Sequence, residues 1–255
     1  MILTLLAGAC VVSAAIPFAL TLINLAMYKA PPKPGADTPL ISVLVPARNE
    51  EANIGAALDA LLASSHARLE LIVCDDHSED NTRYIVEQRA HAYSGTHELR
   101  LIQSAPLPSG WSGKQHACWQ LAQAASSEYV CFIDADVRVK PEAIARAYRH
   151  LRKADAALVS GFPYQITGSS LEQLLIPLIH FILLGYLPFP AMRFSRSPAF
   201  AAGCGQFFLA RRDQYFQAGG HQAIRSSHHD GITLPRAFRR AGFATDLFDA
   251  HNLMT

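Results

Sequence analysis

From Ile2 to Tyr28 the chain carries no charged side chain, and only Thr4, Ser13, Thr21 and Asn24 break its apolar character. About 20 apolar residues span a bilayer as a helix, so this run is long enough to do so. A cleaved signal peptide is the competing reading, but such peptides usually open with a basic segment and have a shorter apolar core. Here no Lys or Arg precedes the run. Lys29 and Lys33 follow it, the second inside the Pro-rich stretch Pro31-Pro32-Lys33-Pro34-Gly35. Positive charge on the C-terminal flank places that side in the cytosol. The chain therefore divides into a transmembrane anchor over 1–29, a Pro-rich linker over 30–39 and a folded domain over 40–255. The expected location is the cell (inner) membrane, with a single-pass anchor and a cytoplasmic domain.

Half of the 255 residues are apolar and 17% are charged, which suffices for a sizeable core and argues against disorder. A formal net charge of +1 gives no basic field, so no nucleic-acid partner is expected. Five cysteines form no C-x-x-C pair. Cys74 and Cys131 sit in apolar, strand-like runs, as buried reduced thiols do.

Past the linker, short apolar runs alternate with helical patterns. Strands are predicted at 41–45, 69–73, 99–102 and 129–133, and helices at 53–62, 79–92, 115–125 and from Pro141. Such alternation predicts an α/β fold with a mostly parallel, Rossmann-like sheet and flanking helices. Ligands in these sheets sit beyond the carboxyl ends of the strands. The stretch 171–194 is rich in Leu, Ile and Phe but interrupted by Pro177, Pro188 and Pro190. It reads either as a re-entrant or interfacial segment or as a buried helix with a loop.

Three acidic sites follow predicted elements. Asp75-Asp76-His77-Ser78 comes after the second strand, where carboxylates can bind a nucleotide's base and ribose or simply cap the next helix. Asp134-Ala135-Asp136 ends the fourth strand. Side chains at i and i+2 of an extended backbone point the same way, so both carboxylates can face one hard cation. Such a cation would neutralise a diphosphate leaving group. Asp230, after His228-His229, precedes a helical stretch and is read as a general base or as a helix cap. The adjacent histidines lack the spacing of a zinc site. Ser109-Gly110-Trp111-Ser112-Gly113-Lys114 places a loop and one cation before a helix N-terminus, which suits phosphate.

The order of these motifs matters more than any one of them. Val45-Pro46-Ala47-Arg48-Asn49-Glu50, then Asp75-Asp76-His77-Ser78-Glu79-Asp80, then Gly113-Lys114, then Asp134-Ala135-Asp136 resembles the inverting family 2 glycosyltransferases. The Gly110–Lys114 stretch and the early apolar helix are similar to the membrane-bound branch that includes hopanoid-associated and carotenoid glycosyltransferases. The resemblance implies a GT-A fold, a nucleoside-diphosphate sugar donor (often UDP), Mg2+ or Mn2+, and a lipid or terpenoid acceptor. It implies that Pro46, Arg48 and Glu50 line the nucleotide pocket and that Asp76 holds uracil or ribose. Asp134 and Asp136 then face the ribose and the metal, and Asp230 is the acceptor base. Two features depart from the family. Its acidic pair before the last helix corresponds here to Asp230-Gly231, in the register set by Leu234 and Arg236. Relatives in this branch continue into further membrane helices whereas this chain ends at Thr255, as a fragment or a short form would. Two alternatives stand beside this reading: a catalytically inactive membrane scaffold, and a nucleotidyltransferase. The second normally carries a Gly-rich basic loop where this chain has Pro46-Ala47-Arg48-Asn49-Glu50.

Overall fold

The computed structural model describes residues 1–255. In chain order the elements are α1 (Ile2–Met27), β1 (Ile41–Ala47), α2 (Ile54–Leu62), β2 (Leu69–Asp75), α3 (Thr82–Ala92), β3 (Glu98–Gln103), α4 (Gly113–Ala124), β4 (Tyr129–Ile133) and α5 (Ala143–Lys153). They continue with β5 (Leu158–Phe162), α6 (Ser170–Leu175), α7 (Pro177–Tyr186), α8 (Phe189–Phe194), β6 (Phe207–Arg211), α9 (Arg212–Gln217), α10 (Asp230–Arg240) and β7 (Thr245–Asp249). The strands form one seven-stranded sheet in the order β3-β2-β1-β4-β6-β5-β7, parallel except for β6.

Helices cover both faces, which is why β1 and β2 read as mostly apolar runs, broken only by the paired Ser42 and Glu70 before their carboxyl ends. One core packs Ile54, Leu58, Val86, Ile144 and Leu151 against one face. The other packs Leu121, Tyr215, Leu234 and Phe238 against the opposite face. α5 shows the pattern plainly: Ala143, Ile144, Ala147, Tyr148 and Leu151 are buried while Arg149, Arg152 and Lys153 face solvent. It begins at Ala143 rather than Pro141, because the Pro141 carbonyl is turned toward the Ser65 N–H. α3 begins at Thr82 rather than Glu79, because residues 79–81 are bonded into the loop after β1. β5 and β7 complete the far side of the sheet and were not expected from the sequence.

β1 and β4 part at their carboxyl ends. The β1–β2 ladder runs to Ala47–Asp75, whereas β1–β4 pairing ends at Leu44–Phe132. The Ser42 N–H points to the β4 side, where it donates to Ser127 Oγ. With a period of two, Pro46 directs its missing donor to that same side. No bond can form there, and the crevice opens where strand order reverses about β1.

α1 is the one helix long and apolar enough to cross a membrane, and its apolar stretch is not buried. Its polar Asn24 is buried: Nδ2 donates to the carbonyls of Leu184 (2.8 Å) and Leu187 (2.6 Å), and Oδ1 accepts from the Phe189 N–H (3.1 Å). Asn24 thus satisfies the free carbonyls at the end of α7 and holds that helix against α1. The stretch 171–194 forms α6, α7 and α8, with a capping box of Ser169 and Glu172 starting α6. The stretch is neither wholly buried nor wholly exposed. Leu171, Leu174, Phe181, Ile182 and Tyr186 stay largely exposed, with α7 packed on α1 and α6 on α7, while Leu183, Phe189 and Met192 are buried with Leu247 of β7. The 30–39 segment is pinned rather than loose: Arg146 bonds the Pro31 carbonyl, Tyr148 donates to Asp37, and the His66 ring meets the Pro39 carbonyl.

Candidate active site

Two loops at the carboxyl ends of β1 and β2 are zipped together by their own side chains. Asn49 donates its N–H to Ser78 Oγ and accepts the Glu79 N–H on Oδ1. Glu50 donates to Thr82 Oγ1, and Glu51 exchanges bonds with Asp80 and Asn81. This bonding requires left-handed backbone at Asn49 (φ 54°) and His77 (φ 57°). Asn reaches that region more easily than most residues.

The zipped loops, the start of α4 and the end of β4 enclose a cavity of about 420 Å³. Pro46, Arg48, Glu50, Asp76, Lys114, Asp134 and Asp136 all line it, so seven of the eight residues expected from the sequence converge there. Asp76 is buried, with Arg48 3.9 Å away, and lies against the first residue of α4: a Cβ on Gly113 would stand 2.6 Å from its Oδ2. A side chain at 113 would push this carboxylate out of its place, and the helix N-terminus favours the charge there. Asp76 is therefore no cap of α3, whose start is served instead by Asp80.

Asp230, the eighth residue, is joined to the cavity through Lys114. The Lys114 ammonium sits 2.7 Å from Asp134 Oδ1 and 3.2 Å from Asp230 Oδ2, and it also donates to the Gly205 carbonyl at 3.4 Å. Lys114 thus bridges two carboxylates while it lines the cavity. Burial works against its charge, but Asp134 and Asp230 more than offset that and raise its pKa. Burial pushes Asp134 up to about 6, against the pull of Lys114 and with the help of Asp230 and Asp136.

Asp230 is the first residue of α10, buried, with its Oδ1 accepting the Gly231 N–H at 2.8 Å. It does not cap the helix, since the cap position belongs to His229, which makes no capping bond either. Two glycines shape its seat. A Cβ on Gly205 would stand 2.1 Å from Asp230 Oδ1, and a Cβ on Gly231 would stand 2.8 Å from the Gly203 carbonyl. Gly231 is thus pressed against backbone rather than open to an acceptor. Of the two histidines, His228 lines the cavity while His229 is exposed at the helix start. The sequence offered a signal for this: His228 and Asp230 are at i and i+2, as Asp134 and Asp136 are. Ser112, part of the 109–114 loop expected to suit phosphate, also lines the cavity.

Whether these residues suit Mg2+ or Mn2+ turns on Asp136. Its carboxylate is exposed to the cavity and has neither a hydrogen bond nor an ion pair. Asp134 already has Lys114, so the pair does not lack a counterion as the sequence alone suggested. No group of three His, Cys, Asp or Glu side chains forms a closed metal cage. One free carboxylate beside a cavity fits a hard cation that takes its other ligands from water and phosphate.

A family model described as glycosyl transferase family 2 matches residues 42–216. The chain is 29% identical over 226 residues to a 4,4'-diaponeurosporenoate glycosyltransferase of Staphylococcus haemolyticus, covering 87% of this chain and 57% of that protein. It is 26% identical over 211 residues to the protein of the same name from Staphylococcus aureus, covering 82% and 54%. The chain therefore spans little more than half the length of these relatives. Among solved structures, a mannosyltransferase from Pyrobaculum calidifontis in complex with GDP-Man and Mn2+ superposes with a TM-score of 0.68 at 20% identity, covering 93% of this chain and 64% of that one. Staphylococcus aureus TarS in complex with UDP-GlcNAc superposes with a TM-score of 0.56 at 18% identity, covering 84% and 57%. These likenesses establish the GT-A fold, and with the family match over most of the sheet domain, the chain belongs to glycosyl transferase family 2.

Proposed function

We propose that this chain is a membrane-anchored, inverting glycosyltransferase that moves a sugar from a nucleoside-diphosphate donor, UDP-linked by preference, to a hydroxyl or carboxyl of a lipid-like acceptor. The observation that carries the reading is the Asp134–Lys114–Asp230 bridge, set between a polar cavity on one side and the glycine-lined seat of Asp230 on the other. Neighbours of the same fold were solved with GDP-Man and Mn2+ and with UDP-GlcNAc. The names of the relatives support a carotenoid-type acceptor.

In this mechanism Pro46, Arg48, Glu50 and Asp76 receive the nucleoside, Asp134 faces the ribose, and Asp136 faces the diphosphate. A divalent cation, Mg2+ or Mn2+, would be held by Asp136 with Asp134 beside it, and would neutralise charge on the leaving diphosphate. Asp230 takes the proton of an acceptor hydroxyl. The freed oxygen bonds to the sugar's anomeric carbon as the bond to the diphosphate breaks on the opposite face. Lys114 keeps Asp230 and Asp134 in place throughout. A hydroxyl needs such a base whereas a carboxyl arrives ionised, so a buried carboxylate here favours the hydroxyl.

The proposed organisation is an anchor over 1–29, a linker over 30–39 and the GT-A domain over 40–255, on the cytoplasmic face of the cell membrane. Lys29 and Lys33 after the apolar helix support that orientation. A reporter fused after Thr255 should behave as cytoplasmic, and periplasmic or luminal activity would overturn it.

A panel of nucleotide-sugars tests the function itself. A ligand present at about 100 times its Kd stabilises the folded state by about 2.7 kcal/mol. One donor class should raise the melting temperature with Mn2+ present and lose that effect in chelator or in Asp136→Asn. Stabilisation by none of the panel would overturn the donor, and equal stabilisation in chelator would overturn the metal.

A further inference from the structure

We propose that the apolar groove beside α7 seats the hydrocarbon chain of the acceptor, which enters from the bilayer along α7 and presents its polar end to Asp230. For the chemistry at Asp230 this rests on the glycosyltransferase reading above. The groove measures about 270 Å³ and runs between Phe162, Ile179, Ile182, Leu183, Tyr186 and Ile232, with Ala202 and Gly203 as its floor. Every lining residue except Gly203 is hydrophobic, so a bound chain is oriented by shape and not by hydrogen bonds.

Its inner end is fixed by close approach. The Gly203 carbonyl is packed so tightly on Gly231 that a Cβ there would stand 2.8 Å away, and Asp230 is the adjoining residue. Ile232, two residues beyond Asp230, lines the groove itself. A molecule that fills the groove therefore ends at the Gly203–Gly231 contact, one residue along the backbone from the aspartate bridged to Lys114.

The outer end lies on α7, where Ile179, Ile182 and Tyr186 remain 48%, 60% and 60% exposed. α7 packs on α1, with Gly185 against Pro17 and Thr21, so the mouth of the groove is continuous with the helix that is apolar enough to enter a membrane. Leu171, Leu174 and Phe181 extend the same exposed apolar surface, far more than a water-facing helix carries without a partner. A peptide strand does not suit this groove, since its N–H and C=O groups would find no polar partner on the walls. A slim chain with one polar end suits both ends at once.

The test uses the full chain in nanodiscs and a photoreactive probe, a long isoprenoid alcohol bearing a diazirine in its chain. Labelled peptides should come from α7 and from the Ala202–Gly203 segment. Ala202→Phe and Ile182→Trp fill the groove without touching the donor cavity and should lower that labelling about tenfold, the effect of losing roughly two methylene groups of apolar contact. Nucleotide-sugar stabilisation should be unchanged in both, which also reports that they fold. Labelling that is undiminished in the filled variants, or confined to the outer face of α1, would overturn the groove. Groove labelling in a protein that no nucleotide-sugar stabilises would uphold the groove and overturn the glycosyltransferase reading instead.

Discussion

Between Ala47 and Thr82 the loops are tied to one another, side chain to backbone, on one side of the crevice, and buried Asp76 is fitted between Arg48 and Gly113. Between Leu171 and Phe194 many large side chains, Leu171, Leu174, Phe181, Ile182, Tyr186 and Phe194 among them, stay exposed, and one buried amide, Asn24, does most of the polar work. The first region is preorganised for a charged, water-borne ligand. The second is finished only when something apolar covers it. The contrast fits an enzyme that draws one substrate from water and the other from a bilayer, with the Asp134–Lys114–Asp230 bridge at the boundary.

The sharpest way to break the boundary is Gly205→Ala. The new Cβ would collide with the Asp230 carboxylate, the far end of a side chain that can swing away, and not with backbone. The fold should survive with a near-normal melting temperature, while turnover should fall by about 10²- to 10⁴-fold, as for loss of a general base. Unchanged turnover would show that the position of Asp230 does not matter.

Asp246 tests how the two regions are joined. It lies on β7 and accepts from Arg193 of α8 at 2.9 Å, with His150 of α5 at 3.1 Å. Lys29 and Lys153 line the same cleft, and Arg239 also acts on it. Burial alone would raise its pKa, but the His150 hydrogen bond and the Arg193 charge together hold it below the usual value. A carboxylate depressed in the folded state contributes stability above its unfolded pKa of about 4, and that contribution is lost as pH falls through the folded value. Asp246→Ala should cost about 1.5–3 kcal/mol at neutral pH by removing the charge-assisted bonds to Arg193 and His150, and should flatten the acid limb of the melting profile. An unaltered acid limb would remove Asp246 from the account.

Asn24→Leu is the smallest expected effect. It leaves the Leu184 and Leu187 carbonyls without donors, at a cost of about 1–3 kcal/mol. Thermal unfolding in detergent should report the loss, and protease access to α7 should rise while nucleotide binding stays intact. Weakened nucleotide binding would mean that the two regions are more tightly coupled than the contrast implies.

The difference between the regions also explains what was legible in the sequence. β1, β2 and β4 announce themselves because strands covered on both faces are mostly apolar, and the acids after them fall where such sheets bind ligands. β5 and β7 are short and carry polar residues, Ser160 and Asp246 among them, that are satisfied by distant partners, so no local pattern marks them. Lys114 was found as a cation before a helix, but its commitment to two aspartates depends on Asp134 and Asp230 lying on different elements. The seat of Asp230 was hidden for the same reason: Gly203 and Gly205 are far from Gly231 in the chain, and only their packing around Asp230 gives them a role.

The most direct measurement is a pair of numbers on one preparation of Asp230→Asn: the donor's dissociation constant and the turnover of transfer. Asn is nearly isosteric and keeps the contact with Gly231, so donor binding at Asp76, Asp134 and Asp136 should be essentially unchanged. Turnover onto a hydroxyl acceptor should fall by about 10²- to 10⁴-fold, with His228→Ala and His229→Ala costing much less. Full turnover in Asp230→Asn, with either histidine variant inactive, would contradict the assignment and move the base to the imidazole.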